Sequence, residues 1–280
     1  MVIVFLIVLG LCLGSFVEAS VWRLHELDTL KGRKSKAAHD RRAALSIAKG
    51  RSMCPQCRHE LAAQDLIPLL SWLFLRGKCR YCQKPIDWQD PAVELMLTAL
   101  FVLSYFYWPY GWNANGMFQF VVWLVLLCGF MALVIYDLRW MLLPNKIVFG
   151  LLSIVVVELL VRLLFFHGGW VALLGALWGF LVLGGLFYVL FQLSGGKWIG
   201  GGDVKLGFLL GIIVSGPLSS FLLLFIASSS GTVVSIPLIL TKKLKRNTRI
   251  PFGPFLILAA VIVELFGLSI INWYKRQLLI

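Results

Sequence analysis

Asp203 stands in the run Gly200-Gly201-Gly202-Asp203-Val204-Lys205, between two long apolar segments. Asp137 ends another apolar run, in Tyr136-Asp137-Leu138-Arg139-Trp140-Met141-Leu142-Leu143-Pro144-Asn145. A carboxylate at the edge of a membrane is costly and marks function by default. Two carboxyls that share one proton can divide acid and base roles, one activating water and the other protonating a peptide. Asp137 and Asp203 are therefore the candidate catalytic pair for peptide hydrolysis without a metal or a nucleophile. That chemistry requires their segments to be neighbours. Gly200 and Gly202 are candidate supporting residues, since glycines permit positive φ and close approach of a substrate backbone. Lys205 is another, either reaching toward headgroups or supporting the carboxylate electrostatically.

The second constellation is Cys54-Pro-Gln-Cys57 and Cys79-Arg-Tyr-Cys82, two Cys-x-x-Cys knuckles with 21 residues between them. Paired knuckles suit tetrahedral thiolate ligation of zinc, and four thiolates make a closed, structural site. The intervening length is slightly above the usual range of about 15–20. His59 is a competing ligand two residues past Cys57, whereas Cys12 and Cys128 lie in apolar runs and read as packing residues. Disulfides are the alternative, which a reducing compartment disfavours.

The elements that must hold these residues are membrane helices. The chain is 60% hydrophobic and only 14% charged, with a mean hydropathy of +0.88, which excludes an ordinary soluble domain. Apolar runs approaching the ~20 residues needed to cross a bilayer recur throughout. They cover 2–22, 92–108, 117–136, 147–166, 171–193, 204–216, 219–240 and 255–273, the sixth being short enough to be broken or re-entrant. The expected fold is an all-α polytopic membrane protein with seven or eight transmembrane or re-entrant helices. A small zinc-ribbon-like domain is inserted after the first helix. Three regions follow: a first transmembrane helix over 1–22, a basic segment with the tetracysteine domain over 23–90, and a membrane domain over 91–280. Residues 1–22 lack a basic start and a cleavage site, so they read as a retained helix.

More than half of the 26 lysines and arginines fall between Arg23 and Lys84. The positive-inside rule makes that side cytoplasmic, with the N-terminus outside and both aspartates at the cytoplasmic boundary. The net charge of +13 is topology signal and attraction to anionic membrane lipids. Nucleic acid is not an expected partner, because the basic residues are scattered and not interleaved with stacking aromatics. Glu158 and Arg162, four apart on one helix face, should form an ion pair. Glu264 has no partner on its own helix.

At this point the chain resembles a bacterial type IV prepilin peptidase, an aspartic protease of the Gly-x-Gly-Asp class. The resemblance covers nearly the whole length. It rests on Gly14-Ser15-Phe16 with Arg23-Leu24; Arg51-Ser52; Asp65-Leu66-Ile67-Pro68-Leu69-Leu70-Ser71-Trp72 with Leu75-Arg76-Gly77-Lys78-Cys79; and Pro91-Ala92-Val93-Glu94-Leu95. Asp137 with Leu143-Pro144-Asn145, Gly200 to Leu206 and Pro251-Phe252-Gly253-Pro254-Phe255 complete the series. Glu18 stands where the family usually has Asn, and His25 where it usually has Pro. The basic stretch 31–49 lengthens the run to the first knuckle.

The resemblance implies a cytoplasmic-membrane enzyme that removes the basic leader of pilin-like precursors on the cytoplasmic side. It would then methylate the new N-terminal amine with S-adenosylmethionine. Asp137 and Asp203 become the catalytic pair, the four cysteines the zinc ligands, and Glu94 a residue associated with methylation. The partners implied are prepilin or pseudopilin precursors and membrane lipids. A basic leader should be met by Asp65, Asp87, Asp90 or Glu94. Two alternatives use the same aspartates: another Gly-x-Gly-Asp intramembrane protease, which lacks paired knuckles, and a proton-coupled transporter, which leaves the knuckles idle.

Overall fold

The structure, a computed structural model, describes residues 1–31, 45, 50–166, 169–241 and 250–277. The basic stretch 31–49 lies almost wholly outside the described residues, as does the lysine- and arginine-rich loop 242–249. Among the described residues the secondary structure is helical, with two isolated β-bridges and no strand. The helices are α1 (Val2–Thr29), α2 (Leu70–Phe74), α3 (Gln89–Phe106), α4 (Ala114–Trp140), α5 (Asn145–Phe165), α6 (Gly169–Ser194), α7 (Gly201–Val214), α8 (Pro217–Leu240) and α9 (Gly253–Gln277).

Every apolar run read from the sequence is helical, and six are long and apolar enough to cross a bilayer: α1, α4, α5, α6, α8 and α9. The chain is a multi-pass membrane protein. The two runs outside that set fall short for different reasons. Helix α3 opens on Gln89 and Asp90 and carries Glu94, which dilutes its apolar stretch. Helix α7 has 14 residues, about 21 Å at 1.5 Å per residue against a hydrocarbon core of about 30 Å.

The chain divides into two compact units, Met1–Phe106 and Tyr107–Ile280. In the first, α1 and α3 pack along each other. Gly10 and Gly14, four apart, allow this: a Cβ on Gly10 would lie 2.7 Å from Thr98 Cα, and one on Gly14 2.6 Å from Glu94 Cα. Small residues at this spacing let membrane helices bring their backbones together.

In the second unit α9 packs against both α4 and α7, so one helix bridges the two segments that carry the aspartates. Helix α7 is seated on α6 by another backbone crossing. A Cβ on Gly179 would lie 1.9 Å from the Gly211 carbonyl oxygen, and one on Gly207 2.7 Å from the Phe187 ring. Immediately past Gly179, α6 widens into a π-helical turn over Phe180–Gly184. Such turns are mostly single insertions that re-aim the rest of a helix. Helix α4 begins on Asn113, whose side chain accepts the Gly116 N–H at 2.8 Å, and ends on Met141 in the left-handed region.

Candidate active site and metal centre

Asp137 occupies the last turn of α4 and is buried. Its Oδ2 accepts the N–H of Gly253, the first residue of α9, at 3.0 Å. A helix N-terminus offers unpaired N–H donors and the positive end of a dipole, so it favours a carboxylate. Asp203 lies in the first turn of α7 and is half-buried. Its carboxylate accepts the N–H of Gly200, the cap residue of the same helix, the acidic half of a capping box. Burial pushes the Asp203 carboxyl up to about 6; the Asp137 charge adds to this and the Gly200 N–H opposes it. The two carboxylates thus lie within electrostatic reach of one another, each at a helix start. Two like charges held this way favour sharing one proton.

The glycines before Asp203 work differently from the expectation. None of Gly200, Gly201 and Gly202 takes a positive φ; the left-handed glycines are Gly195 and Gly196, which end α6. What matters at Gly202 is room, since a Cβ there would lie 3.1 Å from Leu143. Lys205 meets an amide and not a carboxylate: its Nζ donates to Asn145 Oδ1 at 2.7 Å, tying the start of α7 to the start of α5.

The four cysteines converge. Sulfurs of Cys54, Cys57, Cys79 and Cys82 all lie within 4.8 Å of one another, and those of Cys54 and Cys82 are 4.0 Å apart. Zn–S bonds of about 2.3 Å in a tetrahedron put sulfurs about 3.8 Å apart, so the donor set fits zinc. None of the six cysteines is in a disulfide. Each knuckle closes on itself in the same way. Arg58 N–H donates to the Cys54 carbonyl at 2.8 Å and Gln83 N–H to that of Cys79 at 3.0 Å; Cys54 N–H donates to His59 and Cys79 N–H to Lys84. Arg58 and Gln83 follow the second cysteine of their knuckles and adopt positive φ, 61° and 56°. That region disfavours any side chain with a Cβ. Arg58→Gly and Gln83→Gly should therefore each stabilise this unit by about 0.5–1 kcal/mol. Urea unfolding followed by release of the cysteine thiols to a thiol reagent measures the gain, and a loss of stability in both variants would refute it.

His59 is not part of the sulfur cluster; its ring stacks on Tyr81 with centroids 3.7 Å apart. Asp65 is corrected as a candidate for meeting a basic leader. Its carboxylate accepts from Arg80 Nε at 2.7 Å and from Tyr81 Oη at 3.1 Å, and its side chain is only 3% exposed. Burial works to raise its pKa, but those hydrogen bonds outweigh it and hold the carboxyl below its usual range. Asp87 remains exposed.

Glu94 gathers three of the sequence motifs around one buried carboxylate. Leu69 N–H donates to Oε2 at 2.7 Å, Ser15 hydrogen-bonds the carboxylate, and Glu18 is within electrostatic reach. Leu69 has φ 57° and ψ −49°, with a 2.6 Å hydrogen bond from Leu70 N–H to the Pro68 carbonyl. This is the rare, strained sense of γ-turn, and strain of this kind concentrates at functional sites.

Gly253 at Asp137 and Tyr110 at Glu264 are further partners not read from the sequence. The Pro-Phe-Gly-Pro run was a signal for the first. Nothing local signalled the second.

Comparison with known proteins follows the same division of the chain. Residues 8–108 match a family model described as the bacterial peptidase A24 N-terminal domain, and residues 124–236 one described as the type IV leader peptidase family. A prepilin leader peptidase/N-methyltransferase of Aeromonas hydrophila is 39% identical over 82% of this chain and 76% of its own. Proteins of the same name from Aeromonas salmonicida and Bacillus subtilis are 35% and 34% identical, covering 96% and 84% of this chain and 92% and 89% of theirs. No solved structure matches.

Proposed function

Because the chain belongs to the type IV leader peptidase family, we propose that it is a membrane aspartic endopeptidase that removes the leader of type IV pilin-like precursors and N-methylates the residue so exposed. The observation that carries the proteolytic half is the pair of carboxylates in electrostatic reach at two helix starts. In this reading Asp137, held by the Gly253 N–H, is the ionised base, and Asp203, with its raised pKa, carries the shared proton. Asp137 takes a proton from water, and the hydroxide attacks the scissile carbonyl carbon. Asp203 gives its proton to the carbonyl oxygen. As the gem-diol collapses, Asp137 passes its proton to the leaving nitrogen, Asp203 takes back a hydroxyl proton, and the C–N bond breaks. Gly200 leaves room for an extended substrate backbone, Gly202 lets the start of α7 close on Leu143, and Lys205 fixes that start through Asn145.

Cys54, Cys57, Cys79 and Cys82 would hold a structural zinc ion, which staples a segment too small to build a core. The methylation half is assigned to the Glu94 corner. Glu94 would hold the new terminal ammonium and take its proton, with S-adenosylmethionine as the donor of the methyl group. The protein lies in the cytoplasmic membrane with its N-terminus outside and both sites on the cytoplasmic side, a reading supported by the distribution of basic residues. The regions 1–22, 23–90 and 91–280 serve as anchor, methylation-associated zinc domain and peptidase.

The test is to incubate the purified enzyme in liposomes with a pilin-like precursor from the same genome, with and without S-adenosylmethionine. Mass spectrometry should find the leader removed in both samples and one extra methyl mass only with the donor. An intact precursor across all such precursors of that genome would refute the reading.

A further inference from the structure

A second polar site lies far from the aspartates, in the same unit. A partly open cavity of about 360 Å³ is lined by Trp108, Tyr110, Trp123, Glu158, Arg162 and Glu264, among others. Every helix that reaches it places it away from the catalytic end. At 1.5 Å per residue, Trp123 lies about 21 Å along α4 from Asp137, Glu264 about 16 Å along α9 from Gly253, and Arg162 about 25 Å along α5 from its start. The turn into α4 supplies Trp108, Tyr110 and Trp112. A tryptophan and tyrosine cluster at a helix end marks the membrane–water interface. The cavity therefore lies in the half of the membrane opposite Asp137 and Asp203, reaching from Trp108 and Tyr110 at the interface down to Glu264.

Its charged groups are not used by the proteolytic chemistry. Arg162 Nη1 donates to Glu158 at 3.2 Å, which engages one of the five guanidinium N–H groups. Glu264 accepts a hydrogen bond from the Tyr110 hydroxyl and keeps some accessible surface, which faces the cavity. Ionisable residues at membrane depth are expensive and line cavities or ligand paths. The set has two carboxylates for one guanidinium, and aromatic rings beside them. A guanidinium matches a phosphate. Carboxylates and aromatic faces match an ammonium. The ligand that carries both, anchored at this depth, is a zwitterionic phospholipid. An ammonium that still bears N–H donors can satisfy the carboxylates by hydrogen bonding, and a quaternary one cannot.

We propose that the cavity bounded by Tyr110, Glu158, Arg162 and Glu264 is a specific site for the headgroup of phosphatidylethanolamine, the phosphate on Arg162 and the primary ammonium on the carboxylates. The site is independent of the peptidase assignment.

Native mass spectrometry of the detergent-purified full chain provides the test, with phosphatidylethanolamine, phosphatidylcholine and phosphatidylglycerol of identical acyl chains offered in equal amounts. The wild type should retain one phosphatidylethanolamine in preference to the other two by about tenfold or more, the scale of one charged hydrogen bond. Glu264→Gln should erase the preference over phosphatidylcholine. Arg162→Met should lower retention of all three lipids at this site. Thermal unfolding reports whether each variant remains folded, but the wild-type competition is decisive without them. Equal retention of the three lipids would overturn the proposal, and so would a preference that survives in both variants.

Discussion

Asp203→Asn and Asp137→Asn should each reduce leader cleavage by about 10²–10⁴-fold, the range assigned to one acid–base group. Precursor binding should change little, so the loss belongs to kcat. The reason is the division of labour imposed by the pair. Burial and the Asp137 charge disfavour the ionised form of Asp203, so in this mechanism it is the member that carries the shared proton. Asparagine at either position removes the shared proton's second site and leaves water without a base or the carbonyl without an acid. The wild type should also show an alkaline limb. A pKa raised to about 6 keeps the acid form present below that value and removes it as pH rises through it. The midpoint is a property of the pair and not of one residue. Methylation of a peptide supplied without its leader should survive both substitutions, because Glu94 and the cysteine cluster belong to the other compact unit. The measurement is a cleavage and methylation assay run separately on precursor and on pre-cleaved peptide. Cleavage near the wild-type rate in either variant would sink the two-aspartate mechanism.

What was legible in the sequence was local or periodic. The knuckles could be read because each closes on itself, its ligands and its hydrogen bonds all lying within one short hairpin. The membrane helices could be read because hydrocarbon demands apolar runs. The run 204–216, read as short, is the 14-residue α7, whereas 92–108, read as an ordinary span, is α3 and falls outside the six. The Glu158–Arg162 pair followed from helical spacing and is observed at 3.2 Å. The failures are long-range. Lys205 found Asn145 and Asp65 found Arg80 because tertiary packing offered those partners, and spacing carries no signal for them. The glycines before Asp203 permit both positive φ and close approach, and composition alone does not say which is used: the positive φ values fall upstream, at Gly195 and Gly196.

Gly253→Ala should lower kcat for cleavage by about 10–100-fold, the scale of a displacement of about 1 Å at a reacting group. A Cβ built on Gly253 would stand 2.6 Å from Asp137 Oδ2 and 3.3 Å from its Cγ. The carboxylate cannot remain where it is. If it swings away it loses the 3.0 Å hydrogen bond from the Gly253 N–H, its only backbone hydrogen bond among the described residues. Asp137 is 6% exposed, so water cannot readily replace that donor. A buried acceptor left unpaired costs about 1–3 kcal/mol. The charged form is penalised most, and the base loses both its position and its ionisation. A general packing defect would affect methylation too, whereas this displacement should leave pre-cleaved peptide methylation close to wild type and lower stability by no more than that local penalty. The double variant Asp137→Asn with Gly253→Ala separates the accounts. If glycine acts through Asp137, adding Gly253→Ala to Asp137→Asn should cause no further loss, because both changes remove the same function. Full additivity of the two losses, or a Gly253→Ala enzyme that cleaves at the wild-type rate, would show that the amide does not position the base.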